Sequence, residues 1–377
     1  MTRESTKRTL PHRHPALDGL RAVAAMGILV AHVSFQTGTG WGILERFDYF
    51  VAVFFALSAF VLWRRPLASH YYLRRFSRIA PAYLVCVLVV ILALPDAHFM
   101  SPQQILANLT MTQIYVPDGL APGLTHLWSP CIEVAFYLAL PVLLLAKGRK
   151  GLIVGAAALS LGWGWVPELD AVNSQIWPPA YGLWFAVGII AAELEGRVRI
   201  RGREIWWLAA LGVAWLASRE WVGPRGLVHP EPHEFAVRVL LGGVFAALVV
   251  WPIALNPPGA KHWLNSPAMQ ALGRWSYSIF LWHVAALSLA FPTLGVSLFS
   301  GYWLDFVTIL AATVAITIPV SAVSFALVEQ PAQQWLRNTA PQLIQNLRHN
   351  PPTATEPATK TLPQDQTSPQ IAQAPES

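Results

Sequence analysis

Long apolar runs alternate with short polar connectors along this chain, and the runs set the expected architecture. A helix of about 17–25 apolar residues is long enough to cross a bilayer. Such runs recur over roughly 17–36, 48–64, 79–95, 126–146, 150–168, 176–194, 205–221, 235–255, 270–290 and 303–328. The pattern predicts an all-α, polytopic transmembrane helix bundle of about ten spans. Several runs contain Gly or Pro, which neighbouring helices accommodate inside a membrane bundle. No internal repeat or inverted pair of segments, of the kind that marks many secondary transporters, is evident.

Charge placement tests that count. With the N-terminus in the cytoplasm, 21 of the 26 Lys and Arg residues fall on the inner side. Arg46, Arg219 and Arg225 fall outside, and Arg21 and Arg238 lie within spans. Dropping one span would invert the later loops and spoil the asymmetry that the positive-inside rule requires. Both termini are therefore expected in the cytoplasm of a multi-pass plasma-membrane protein. Three regions follow: a basic N-terminus (1–14), a transmembrane domain (15–335), and a Pro/Gln/Thr-rich tail (336–377) expected to be disordered from about 338. The first apolar run is polar-studded and lacks a convincing cleavage site, so it is expected to be a retained helix. Loop 96–125 has no Lys or Arg and is expected to cap or partly re-enter the bundle. Its Asn108-Leu109-Thr110 is a weak match to a glycosylation sequon.

Composition agrees. Hydrophobic residues make up 54% and charged residues 12%, against about 25% charged in soluble domains. Mean hydropathy is +0.44. The net charge of +6 is explained by topology, so the expected partner is the lipid bilayer and not nucleic acid. Cys86 and Cys131 are placed in spans at opposite depths, so no disulfide is expected between them. No metal-ligand spacing is found.

The candidate chemistry lies in the ionisable residues that the spans tolerate. Segment 17–36, LDGLRAVAAMGILVAHVSFQ, carries Asp18, Arg21 and His32. Arg21 and His32 are eleven residues apart, ~16 Å of helical rise, and share a face; Asp18 lies one turn before Arg21. A charge at mid-membrane costs about 2.5–3.5 kcal/mol even on a mild scale, so this face is expected to line a polar cavity. The less specific alternative is an Asp18–Arg21 pair at the inner interface. Glu133 in HLWSPCIEVAFYLALPVLL and His283 in LGRWSYSIFLWHVAAL are expected at the depth of His32, with Tyr277 nearer the middle. Arg75 and Arg78 share a helix face near a helix N-terminus, an arrangement suited to phosphates, although ordinary positive-inside anchoring also explains them. Ser58 is rejected as a covalent nucleophile, because a Ser in an apolar run usually bonds its own backbone and no nucleophile elbow is present.

Taken in order, LDGLRAVAAMGILVAH, VFFALSAFVL, RRFSRIAPAY, HLWSPCIEVAFYLALP, WSYSIFLWH and SFALVEQPAQQW resemble the motifs of the acyltransferase-3 family of integral-membrane O-acyltransferases, over about residues 15–335. The resemblance implies transfer of an acyl group, commonly acetyl, from cytoplasmic acyl-CoA as donor substrate to a hydroxyl of a glycan, glycolipid or glycosylated metabolite, with no permanently bound cofactor. Arg21, Arg75 and Arg78 would hold the donor. His32 would act as general base and Glu133 would orient it or stabilise its charged form. Asp18, Trp128, Ser129, Tyr277 and His283 are candidates for positioning substrate. Ala59 stands where the family usually has Gly, Phe280 where it often has Tyr, and Pro130 interrupts the stretch before Glu133. A transporter or flippase of a sugar or glycolipid, using the same polar cavity without acyl chemistry, is the competing expectation.

Overall fold

The computed structural model describes residues 14–65, 67, 70–167, 172–224 and 228–349. The chain divides into two units, Met1–Leu336 and Arg337–Ser377. Among the described residues, the larger is built of helices joined by turns and short connecting segments. Its main helices are α1 (Pro15–Thr37), α2 (Phe50–Trp63), α3 (Tyr71–Ala93), α4 (Trp128–Leu145), α5 (Arg149–Gly162), α6 (Gly182–Leu194), α7 (Arg203–Ala217), α8 (Pro232–Ala254), α9 (Pro267–Leu294) and α10 (Trp303–Ser324). Among the described residues, seven helical stretches are long and apolar enough to cross a membrane: Pro15–Thr37, Gly42–Trp63, Tyr71–Ala93, Thr125–Leu145, Pro232–Ala254, Pro267–Leu294 and Trp303–Thr339. The three other expected spans coincide with α5, α6 and α7, of 14, 13 and 15 residues, each less than the ~30 Å of a hydrocarbon core.

α1 and α9 run side by side in the same direction. Gly273 permits their approach, since a Cβ there would lie 2.2 Å from the Asp18 carbonyl oxygen, and a Cβ on Gly19 would lie 2.2 Å from the carbonyl oxygen of Leu264, in the turn before α9. α2 packs on α6, and a stack of Phe55, Phe185 and Phe136, with ring centroids 4.6 and 4.2 Å apart, joins α2 and α6 to α4. One end of the bundle is tied by Glu195, which pairs with Arg64 and lies 3.3 Å from His14 Nε2. Leu88, Leu92, Val142 and Leu145 face outward and are exposed, as lipid-facing positions must be.

Loop 96–125, expected to cap or partly re-enter the bundle, buries polar side chains. Asn108 and Gln113 are buried. Asn108 donates from Nδ2 to the Gln104 and Gly119 carbonyls; Gln113 donates to the Tyr83 hydroxyl and the Leu127 carbonyl. The sequon asparagine is thus enclosed, with its amide protons already used. Pro130 does not interrupt α4. It sits in the first helical turn, where a missing N–H leaves no bond unmade.

Two expectations are corrected. Cys86 and Cys131 are free thiols, but not through a difference in depth. Cys86 donates to the Leu281 carbonyl and Cys131 to that of Leu127, and His126, next to Leu127 in the chain, also bonds Leu281, so the two thiols occupy one layer. The second unit also departs from the expected irregular tail: residues 337–349 belong to a helix, Gln330–His349. Leu336, Leu343, Ile344 and Leu347 recur there at helical spacing, which the polar composition of the tail concealed. Segments 1–13 and 350–377, which hold the basic N-terminus and the Pro/Gln/Thr-rich sequence, lie outside the described residues.

Candidate active site

Two groups of polar side chains are buried in the larger unit, one above the other along α1. The first lines a cavity with about 50 Å³ of space open to water, enough for a few water molecules. Arg21 comes from α1, Ser58 from α2, Arg78 from α3, Ser129, Glu133 and Tyr137 from α4, and Ser276 and Tyr277 from α9. Arg21 Nη1 lies 3.5 Å from Asp18 Oδ1, so the expected pair forms. Glu133 is the hub. Its Oε1 accepts a 2.5 Å hydrogen bond from the Ser58 hydroxyl and another from the Tyr137 hydroxyl one turn later on α4. Tyr277 donates to the Ile79 carbonyl at 3.1 Å and so fastens α9 to α3.

Arg75 stands beside this cavity without lining it. Its guanidinium lies 5.7 Å from the Tyr137 ring centroid and 6.0 Å from that of Tyr71, and its Nε is buried without a hydrogen-bond partner. Arg75 and Arg78 are thus available to an anion at the end of the bundle where α1, α3 and α9 begin. Trp128 packs against Tyr181, 5.2 Å between centroids, and is not among the lining residues.

The second group is three imidazoles. His32 Nδ1 lies 2.9 Å from His283 Nε2. His126, in the turn Thr125–Leu127 before α4, completes the group, 4.7 Å from His283 and 6.3 Å from His32 between ring centroids. His283 and His126 are buried, 1% and 3% exposed, whereas His32 is partly open. His126 Nε2 donates to the Leu281 carbonyl, and its Nδ1 is buried without a partner. Among the described residues no group of three or more His, Cys, Asp or Glu side chains is arranged to hold a metal ion.

The expected convergence of His32, Glu133 and His283 on one layer is therefore half met. The two histidines meet; Glu133 lies below them with Arg21 and Ser58, and His126 takes its place. The cause is the start of α4. The capping segment is itself buried, so α4 begins inside the bundle and Glu133, about a turn and a half in, lies deeper still. Phe54 and Phe280 separate the two groups. Both line the cavity, their ring centroids are 6.2 Å apart, and Phe280 also packs on His126 and His283 at 5.2 and 5.6 Å.

Sequence reasoning gave His126 no role, although it lies inside a quoted motif and at the first position of the expected fourth span. It also missed Glu329. That carboxylate is 3% exposed at the end of a π-helical stretch, Phe325–Glu329, and accepts from the Ser278 hydroxyl, which is 3.2 Å from that of Ser324. A π turn often marks a functional position, but composition does not reveal one.

Residues 14–322 match the family described as "Acyltransferase domain". Nodulation protein 10 of Rhizobium leguminosarum bv. viciae is 26% identical over 322 residues, covering 75% of this chain and 82% of that protein. Acyltransferase MdmB of Streptomyces mycarofaciens is 25% identical, with 92% and 96% covered. Peptidoglycan O-acetyltransferase OatA of Listeria monocytogenes is 23% identical over 85% of this chain and 56% of its own length. No solved structure matches.

Proposed function

The chain belongs to the acyltransferase-3 family of membrane acyltransferases, and on that premise we propose that it transfers an acyl group, commonly acetyl, from cytoplasmic acyl-CoA to a hydroxyl of a glycan, glycolipid or glycosylated metabolite. In this reading it is a ten-span protein of the plasma membrane with both termini inside the cell. The observation that carries the proposal is the buried order along the bundle: guanidinium groups at one end, a polar cavity, an aromatic partition, then the imidazoles.

Arg75 and Arg78 bind the donor phosphates, where charge-assisted bonds to phosphate are strongest. Arg21, held by Asp18, faces the cavity through which the acyl-bearing arm extends. Glu133, fixed by Ser58 and Tyr137, supplies the acceptors that orient the arm's amide hydrogens. His32 is the general base. Because Phe54 and Phe280 lie between cavity and imidazoles, these rings turn aside for the thioester to reach it. Transfer is direct: the acceptor oxygen bonds the acyl carbon, its proton passes to His32, the carbon–sulfur bond breaks, and the thiolate leaves with that proton. The names of relatives such as OatA support an O-linked product in the cell envelope.

Family membership disfavours the transporter reading, which needs no donor turnover. Acetyl-CoA consumption by membrane vesicles containing the protein separates the two. Turnover is expected with the native chain and lost in His32→Ala, with donor binding retained. Sugar translocation without thioester consumption would overturn the enzymatic reading.

A further inference from the structure

His283 lies in the middle of α9, and its ring has little choice of protonation state. Its Nδ1 is 2.7 Å from the Phe280 carbonyl oxygen and 3.2 Å from that of Ile279. A carbonyl can only accept, so the Nδ1 that makes these contacts carries the hydrogen. In the neutral ring the opposite nitrogen, Nε2, then presents a lone pair. That nitrogen is the one 2.9 Å from His32 Nδ1, so His32 Nδ1 must donate. The hydrogen of His32 is thereby assigned to Nδ1, and its Nε2 is left as a lone pair.

We propose that His283 is a positioning residue: anchored by the Phe280 carbonyl, it accepts the Nδ1–H of His32 and holds that imidazole with Nε2 free to take the acceptor hydroxyl's proton. This inference rests on the reading of His32 as base and adds what fixes its tautomer and ring orientation. The more familiar orienting group for a catalytic histidine is a carboxylate; here an imidazole and a backbone carbonyl perform that role in series. The second imidazole is better suited to this layer. A buried carboxylate would need a partner of its own, and among the described residues no acidic side chain is hydrogen-bonded to the three rings. Proton balance is preserved. The hydroxyl proton moves to His32 Nε2, the transient imidazolium keeps its Nδ1–H on His283 Nε2, and the departing thiolate removes the proton from Nε2. His283 itself neither gains nor loses one.

The two amide substitutions separate positioning from packing. Glutamine places a carbonyl oxygen near where imidazole Nε2 stood, whereas asparagine places it near Nδ1, too short to reach His32. In vesicle assays with acetyl-CoA, His283→Asn should lower kcat by about 10²–10⁴-fold, the range of general-base contributions, with the donor KM unchanged. His283→Gln should recover turnover to within about tenfold of the native chain. In ¹⁵N-histidine-labelled protein in bilayers, the nitrogen shifts of His32 should report Nδ1–H in the native and Gln forms and lose that signature in Asn. Equal activity of the Asn and native forms, or Nε2–H on native His32, would overturn the proposal. The latter measurement needs no variant to fold. Should His32→Ala retain turnover, the base reading itself fails; should only the His283 results fail, that reading stands and the positioning role does not.

Discussion

The contact between α1 and α9 makes the chemistry sensitive to a single methyl group. In Gly273→Ala the new Cβ would lie 2.2 Å from the Asp18 carbonyl oxygen, and real Cβ contacts essentially never fall below 3.0 Å. Asp18 Oδ1 pairs with Arg21 and backbone cannot rotate out of the way, so the two helices must part by at least about 0.8 Å at that level. Carried along the helices as a rigid shift, this stretches the 2.9 Å contact between His32 and His283 to about 3.7 Å, beyond hydrogen-bonding range. Overpacking of this kind costs about 1–3 kcal/mol of stability, and a misplacement near 1 Å at a reacting group costs up to about 10²-fold in rate. We expect Gly273→Ala to fold, with an apparent Tm lowered by a few degrees and acetyl-CoA consumption reduced 10–100-fold at unchanged donor KM. Reconstituted protein in nanodiscs, with thiol release followed by a chromogenic reagent, provides the assay. Native turnover in a correctly folded Gly273→Ala protein would show that the close approach does not set the imidazole geometry.

Three further outcomes follow from the site. Replacing Arg75 and Arg78 together by Ala should raise the donor KM at least tenfold with a smaller effect on kcat; an altered membrane orientation with unchanged donor affinity, read by cysteine accessibility of the loops, would reduce both to topological anchors. Ser58→Ala should leave turnover within about tenfold of native, and incubation of the native chain with acetyl-CoA alone should give no acyl-protein adduct by intact mass; an acetyl group retained on Ser58 would refute direct transfer. Cys86 and Cys131 are 0% and 6% exposed, so neither should react with maleimide until the protein is denatured, and rapid labelling of the native form would contradict the packing around the capping segment.

Much of the helical framework was legible because each helix is written as an apolar run bounded by polar residues. The Asp18–Arg21 pair follows from helical spacing, whereas Arg21, Arg78, Ser129, Glu133 and Tyr277, singled out on four different helices, are brought to one cavity by tertiary packing. Depth was less legible. Counting turns from the expected start of α4 put Glu133 level with His32, but that start depends on how far segment 96–127 sinks into the bundle, a tertiary property set by Asn108, Gln113 and Tyr83. His126, at the first position of the expected fourth span, was obscured for the same reason, since a histidine at a helix entrance becomes interior only when the segment before it is buried. Ser58 was judged by its apolar neighbours on α2, whereas its partner, Glu133, stands on another helix 75 residues away.

The π-helical stretch at the end of α10 also has a consequence for how this chain tolerates length changes. A wide turn takes in one residue more than an ordinary one, and each residue of an α-helix advances about 100° around its axis. The stretch Phe325–Glu329 therefore acts as a phase adjuster, turning Glu329 inward onto Ser278 where uninterrupted α-helix would point it elsewhere. Excising Val328 would relax that turn into regular winding and leave the carboxylate facing its serine, whereas excising a residue from the regular helix before it would swing the carboxylate roughly a quarter of a revolution away.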